Sequence, residues 1–212
     1  MRRSGPGRAP ALRRVGLVAA IVSINASVAS RPVEAQGSGD VVMVTIATPF
    51  GDVTAEIYVE RSPITAQNFL SYVDDGFFDG GTFYRTVRLD NQPDDSVRIE
   101  VIQGGPPPNA RDRSRPAISL ERTSLTGLSH VDGALSMARG APDSARSSFF
   151  ICIGDQPSLD FGGNRNLDRQ GFAVFGRVTV GMEVVRRIQI GEAVAQRLVE
   201  PVPIDSIWRT AR

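Results

Sequence analysis

The 212-residue sequence predicts a mainly β domain, an antiparallel barrel or sandwich, on three observations. Short runs rich in Val, Ile, Phe and Thr recur along most of its length. Glycine and proline, 21 and 14 residues, sit largely between those runs. Only two segments carry the apolar spacing of a helix.

Taken in order, Val41 to Thr48 reads as a strand, and Pro49-Phe50-Gly51-Asp52 is turn chemistry. Beyond the turn Ala55, Ile57 and Val59 point one way and Thr54, Glu56 and Tyr58 the other, which completes a hairpin. Ser62-Pro63 reads as an N-cap followed by proline at the first helical position. Ala66, Phe69, Leu70 and Val73 then fall on one helical face, and Gly76 ends the helix. Short strands follow at Thr82–Val87, Arg98–Gln103, Ala134–Ala138, Phe149–Ile153, Phe172–Val178 and Ile204–Trp208, with a second helix from Gly181 to about Ile188. The paired glycines Gly80-Gly81, Gly104-Gly105 and Gly162-Gly163 read as turns, and Asp94-Asp95 as solvated turn carboxylates. No internal repeat is present.

Residues 1–35 do not read as part of the fold. Arg2, Arg3, Arg8, Arg13 and Arg14 form a basic start, and Val15 to Ser30 is uncharged and rich in Ala, Val and Ile. That stretch is shorter than the ~20 residues a spanning helix needs. Cleavage is expected after Ala29 or Ala35, the layout of a signal peptide for an exported protein, with an uncleaved membrane anchor as the alternative. Residues 36–40 form a short flexible spacer, and the folded domain spans 41–212. Six of the 24 basic residues, all arginine, and one of the 23 acidic ones lie in the leader. The mature part therefore holds 18 basic against 22 acidic residues, a net charge of −4 that gives no electrostatic grip on nucleic acid.

The scarce residues exclude several chemistries. One cysteine (Cys152) cannot form an intrachain disulfide, and with one histidine (His130) it cannot build the usual zinc site. Cys152 lies in the apolar run Phe149 to Ile153 and reads as core; His130 reads as a hydrogen-bonding loop residue rather than a base. No G-x-S-x-G elbow, P-loop or H-E-x-x-H pattern occurs, and no cofactor or metal is expected.

Four segments remain in a fixed order: Gly80-Gly81-Thr82-Phe83-Tyr84-Arg85; Glu100-Val101-Ile102-Gln103-Gly104-Gly105; Leu135-Ser136-Met137-Ala138-Arg139 followed by Ser147-Ser148-Phe149-Phe150-Ile151; and Gly171 to Val178. In these the chain resembles the cyclophilin family of peptidyl-prolyl cis/trans isomerases, from about Val41 to Arg209. The resemblance implies a closed eight-stranded antiparallel barrel capped by two α-helices, with an active groove on its outer face. It implies that Arg85 is the catalytic arginine, Gln103 the glutamine that positions it, and Phe150 the floor of a proline pocket walled by Val101 and Leu159. Ala138, Arg139 and Gly140 fall where the family holds an extended peptide by backbone contacts, and Ser148 occupies a further groove position. Phe172 stands in place of a pocket histidine, Tyr84 where histidine is common beside the arginine, and Ser158 where a tryptophan often lies. The segment Phe161 to Gly171 lengthens the loop that follows.

The expected partners are proline-containing polypeptides, with neither nucleic acid nor, once the leader is removed, membrane, and the chain is expected to be a monomer. Two functions stay open at this point. One is an isomerase that speeds the folding of exported proteins, where prolyl isomerisation is slow enough to limit folding. The other is a non-catalytic chaperone or scaffold that holds proline segments on the same barrel.

Overall fold

The computed structural model describes residues 41–92 and 97–210. The leader, the spacer and Asp94-Asp95 lie outside them. The first hairpin pairs β1 (Val41–Thr48) with β2 (Gly51–Tyr58) in full register, from Val41 against Tyr58 to Thr48 against Gly51. Val53, Ala55 and Ile57 are completely buried, as a strand with one face on a core requires.

Helix α1 (Pro63–Asp74) buries Ala66, Phe69, Leu70 and Val73, and Gly76 follows it at φ +58°. Ser62 and Pro63 take the N-cap and first helical positions that the sequence predicts, but the capping bonds come from elsewhere. Ser62 makes no side-chain capping bond; its hydroxyl instead donates to the Glu121 carboxylate at 2.8 Å. That carboxylate accepts the backbone N–H of Ile64 (3.1 Å) and Thr65 (2.7 Å) and the Thr65 hydroxyl (2.6 Å). An ionised acceptor at the positive end of the helix displaces a neutral hydroxyl because it satisfies more donors and complements the dipole. The cap thus comes from a residue more than fifty positions away.

The remaining strands are β3 (Gly81–Val87), β4 (Val101–Gly105), β5 (Ala134–Met137), β6 (Phe149–Cys152), β7 (Val174–Val180), β8 (Ala193–Val194), β9 (Arg197–Ile204) and β10 (Ser206–Arg209). A four-residue helix α2 (Thr123–Thr126) and helix α3 (Met182–Gln189) complete the regular elements, with two short 3₁₀ turns. All pairings are antiparallel, and the sheet order is β10-β1-β2-β7-β5-β6-β4-β3-β9-β8. Only Asp205 separates β9, paired to β3, from β10, paired to β1.

Ten strands stand where eight were expected, and several boundaries move. Strand β9 escapes a sequence reading because Pro201 and Pro203 interrupt its pattern. Pro203 lies opposite Thr82 of β3, Pro201 falls where the β3–β9 register is irregular, and on its other side β9 pairs with the two-residue β8 through Leu198 and Arg197, away from both prolines. The stretch Arg98-Ile99-Glu100 precedes β4 instead of joining it. The N–H and C=O of Ile99 are both taken by the buried side-chain amide of Gln92, at 3.2 and 2.9 Å. Gly104-Gly105 is strand, not turn: a Cβ on Gly104 would meet the Phe83 ring at 2.9 Å, and one on Gly105 the Ser148 hydroxyl at 2.9 Å.

Two apolar clusters occupy opposite faces of the sheet. The larger one gathers Phe69, Phe78, Phe83, Phe149 and Phe175 with the buried faces of α1 and α3. The smaller one contains Val87, Ile99, Val101, Phe150, Cys152, Leu159 and Val174, with Ala138 and Phe172 packed on it. The period of two in a strand explains the split: Phe149 goes to the first cluster and its neighbour Phe150 to the second. Burial raises the Cys152 thiol well above its ordinary pKa, so it is an inert core group.

Candidate functional site

The second cluster borders a cavity of about 240 Å³ lined by Arg85, Ile99, Val101, Gln103, Ala138, Arg139, Phe150, Leu159, Arg165, Asn166 and Phe172. An adjoining, more open groove of about 520 Å³ shares Gln103, Ala138 and Arg139 with it and adds Gly140 and Ser148. Each of the ten catalytic and peptide-binding residues expected from the resemblance thus lines one or both of these hollows.

Strand register accounts for the convergence. Arg85 of β3 lies opposite Gln103 of β4, Gln103 opposite Phe150 of β6, and Phe150 opposite Ser136 of β5. One row of cross-strand neighbours therefore carries Arg85, Gln103 and Phe150 side by side. Arg85 reaches that row through an irregularity. The β3–β4 register shifts between Phe83 and Arg85, so Tyr84 is an extra residue on β3. Strict alternation would send Arg85 to the side of Phe83, which is fully buried in the main core; the bulge turns it out to the cavity.

The guanidinium of Arg85 is held from two sides. Nη1 donates to Gln103 Oε1 at 2.8 Å, while Nε and Nη2 donate to Gln196 Oε1 at 3.0 and 2.5 Å. Gln103 Nε2 in turn donates to the Tyr84 hydroxyl at 2.8 Å, which fixes the orientation of its amide, and Tyr84 contacts Ser148 Oγ at 3.4 Å. Both partners of the arginine are neutral amides. Burial, and next the positive charge of Arg165, lower the Arg85 pKa, yet an arginine begins so high that it stays charged. The result is a fixed cation whose charge no carboxylate hydrogen bond from the described residues offsets.

Gln196 was not found from the sequence. It lies between β8 and β9, 111 residues from Arg85, and a lone glutamine in a short hairpin carries no signal of its own.

Phe150 is braced from behind. His130 stacks on it at 10° with ring centroids 5.9 Å apart, and Phe172 meets it edge-on at 5.3 Å. His130 Nδ1 lies 2.7 Å from Asp160 Oδ1, and Nε2 lies 3.0 Å from Ser136 Oγ. The serine–histidine–carboxylate order is that of hydrolytic triads. Ser136 and His130, at 0% and 1% exposure, are sealed from any substrate. The chain of bonds is a buried brace, in keeping with a hydrogen-bonding histidine.

Burial lowers the His130 pKa, against a smaller rise from Asp160. The unfolded chain therefore takes up a proton before the folded one does as the pH falls through the ordinary imidazole range. Stability from this site is complete above that range and declines below it. The chain has one histidine, so the melting temperature is expected to fall between about pH 7 and about pH 5. His130→Gln should lower it at pH 7 and flatten that slope. An equally steep slope in the variant would assign the effect to other groups.

Arg139 is committed elsewhere than to open groove. Its guanidinium lies 5.1 Å over the Phe172 ring, forms two hydrogen bonds to Asp168 at 2.8 and 2.9 Å, and donates to the Gly171 carbonyl. These bonds hold the Asp168 carboxyl down at about 2. Arg139 thereby ties the 161–171 loop down beside the cavity. Among the described residues no cluster of three or more His, Cys, Asp or Glu is placed to hold a metal, and no helix is long and apolar enough to cross a membrane.

Residues 42–208 match the family model described as cyclophilin type peptidyl-prolyl cis-trans isomerase/CLD. A peptidyl-prolyl cis-trans isomerase of Acinetobacter baylyi is 35% identical over 147 residues, covering 69% of this chain and 71% of that protein. Peptidyl-prolyl cis-trans isomerase B of Escherichia coli is 32% identical over 148 residues, covering 69% and 84%. Among solved structures, a cyclophilin type isomerase of Cryptosporidium parvum superposes with a TM-score of 0.65 at 20% identity, over 81% of this chain and 99% of that one. The same protein has been solved in the presence of the dipeptide Ala-Pro, with a TM-score of 0.64. The matched span holds all of β1 but its first residue, every strand from β2 to β9, the residues that line the cavity and the Arg85–Gln103–Phe150 row, and on these grounds the chain belongs to the cyclophilin-type peptidyl-prolyl cis-trans isomerase family.

Proposed function

We propose that the cavity over Phe150 receives a proline ring and that Arg85 accelerates rotation about the preceding peptide bond. The observation that carries this reading is a cation fixed beside an apolar slot by two neutral amides, Gln103 and Gln196. Rotation about a prolyl bond faces a barrier of about 18–20 kcal/mol because resonance gives the C–N bond double-bond character. No bond is made or broken, so no nucleophile or metal is needed. In the twisted transition state the prolyl nitrogen regains a lone pair. A guanidinium N–H can donate to that pair, an interaction the planar ground state lacks, so the stabilisation is differential.

A ~10⁵-fold acceleration requires about 7 kcal/mol, and one preorganised donor supplies about 3–4 kcal/mol. The rest is assigned to the apolar walls of Phe150, Val101 and Leu159, and to anchoring of the flanking peptide by Ala138, Gly140 and Ser148 in the adjoining groove. Phe172 and Arg139 also line the cavity.

Gln103 and Gln196 are the positioning residues. In a prolyl-peptide assay coupled to a cis/trans-selective protease, the wild-type chain is expected to turn over. Gln196→Ala should lower kcat by about three- to tenfold with little change in KM. Gln196→Glu keeps the acceptor but offsets the guanidinium charge, and should lower kcat at least as far. Binding of the peptide without turnover by the wild type would leave a non-catalytic holder of proline segments instead.

The leader composition supports export, with unfolded exported polypeptides as clients and the mature chain acting as a monomer without nucleic acid or membrane. Taking β9 and β10 as one strand around Asp205, and setting the two-residue β8 aside, gives eight strands. We read these as a closed barrel.

A further inference from the structure

Among the described residues Asn166 Nδ2 is a buried side-chain nitrogen with no hydrogen-bond acceptor. It belongs to a residue that lines the cavity over Phe150. Buried amide donors are nearly always paired, and one left without an acceptor is costly, so such an atom in a residue of a cavity wall points to a missing partner.

The loop around it is not loosely placed. The Arg165 N–H bonds the Ser158 carbonyl at 3.1 Å, and the Arg169 N–H bonds the carbonyl of Asn166 itself at 2.9 Å. Phe172 N–H bonds the Leu159 carbonyl at 3.0 Å, and the Arg139–Asp168 pair pins the loop to the opposite wall. With the main chain held on both sides, the unmet donor is a feature of a formed site.

The cavity's other polar groups identify what it would accept. Among the described residues its lining includes Arg85, Arg139 and Arg165 and no carboxylate. These guanidiniums are engaged within the protein, Arg85 by Gln103 and Gln196, Arg139 by Asp168 and Gly171, and Arg165 by the Val97 carbonyl, whereas the Asn166 amide is a donor still to be met. A segment around proline complements it, because the prolyl nitrogen has no hydrogen while every residue keeps its carbonyl. Asn166 and Arg165 line this cavity and not the adjoining groove. They therefore belong to the part of the cavity wall that the groove does not share. Rotation about its terminal torsion, which is broad for Asn, is the movement that would turn Nδ2 towards such a carbonyl.

We propose that Asn166 is a substrate-binding residue, its Nδ2 donating a hydrogen bond to a main-chain carbonyl of the bound peptide at the proline or just beside it, on the side away from the open groove. This rests on the reading of the cavity as the proline site. A residue of the lengthened loop would thus supply part of the recognition, at the cost of an unsatisfied donor in the free protein.

The two halves of that statement are tested together in the full chain. Thermal melting of the free protein and steady-state turnover of a prolyl peptide are measured for the wild type, Asn166→Ala and Asn166→Asp. Asn166→Ala is expected to raise KM by about three- to tenfold with kcat nearly unchanged. Its melting temperature should equal or exceed that of the wild type, since no hydrogen bond is lost from the free state. Asn166→Asp, which sets an acceptor against a carbonyl, should raise KM at least as much. An unchanged KM in both variants overturns the proposal, and so does a fall in melting temperature with kcat and KM affected alike, which would mark a structural side chain. The wild type separates this from the reading beneath it: if it shows no turnover and no peptide binding, the assignment of the cavity has failed rather than the role of Asn166.

Discussion

Arg85→Ala is expected to lower kcat/KM on a prolyl peptide by at least about 100-fold, equivalent to about 2.7 kcal/mol of transition-state stabilisation. The melting temperature should stay within a few degrees of the wild type. The reason for the separation lies in where the side chain sits. Arg85 reaches its two glutamines at the edge of a cavity, outside both apolar clusters, so its loss opens no core void. Gln103 and Gln196 would turn to water. Arg85→Lys is a sharper test, because it restores the charge but not the fork. A lysine ammonium cannot hold both Gln103 and Gln196 in the guanidinium geometry while keeping a directed donor free, so recovery should be partial. Wild-type turnover in Arg85→Ala would remove the arginine from the mechanism.

The largest expected effect on stability belongs to a residue far from that site. Glu121→Ala should destabilise the fold by about 2–4 kcal/mol, because it strands several donors at once. The hydroxyls of Ser62 and Thr65, both in fully buried residues, and the N–H groups of Ile64 and Thr65 all donate to that carboxylate. For a domain of this size the shift in melting temperature is about 5–15 °C. Glu121→Gln keeps an oxygen acceptor and should lose less. The discriminating comparison is Ser62→Ala, which under a conventional N-cap would be the damaging change. Here it removes one of four donors and leaves the cap on Ile64 and Thr65 in place. A larger loss in Ser62→Ala than in Glu121→Ala would show that the sequence expectation had the cap right.

The capping of α1 illustrates what could and could not be read in advance. Its span, its buried face and its glycine stop are local, because propensity and apolar spacing act within a few turns, and all three were legible. The group that satisfies its N-terminus comes from a distant loop, and no local pattern announces it. The strands divide in the same way. Regular alternation in β1 and β2 was readable, whereas β9 was hidden by Pro201 and Pro203, and the start of β4 was displaced by the Gln92 side chain pairing with Ile99. Gly104-Gly105 carried turn chemistry on paper and proved to be strand, since what those glycines answer is the close approach of Phe83 and Ser148.

The sequence by itself determined a mainly β chain, the identity of the family, and the set of side chains that would have to meet if that family's chemistry were present. Those follow from residue type and order, which are written in the chain. Tertiary structure alone decided how they meet. One extra residue at Tyr84 turns Arg85 from the core face to the cavity, register lines it up with Gln103 and Phe150, and a turn 111 residues away brings Gln196 to its other side. A period-two pattern cannot report a bulge, and a short hairpin cannot report its distant neighbour, because both arise only when separate strands choose a register against one another.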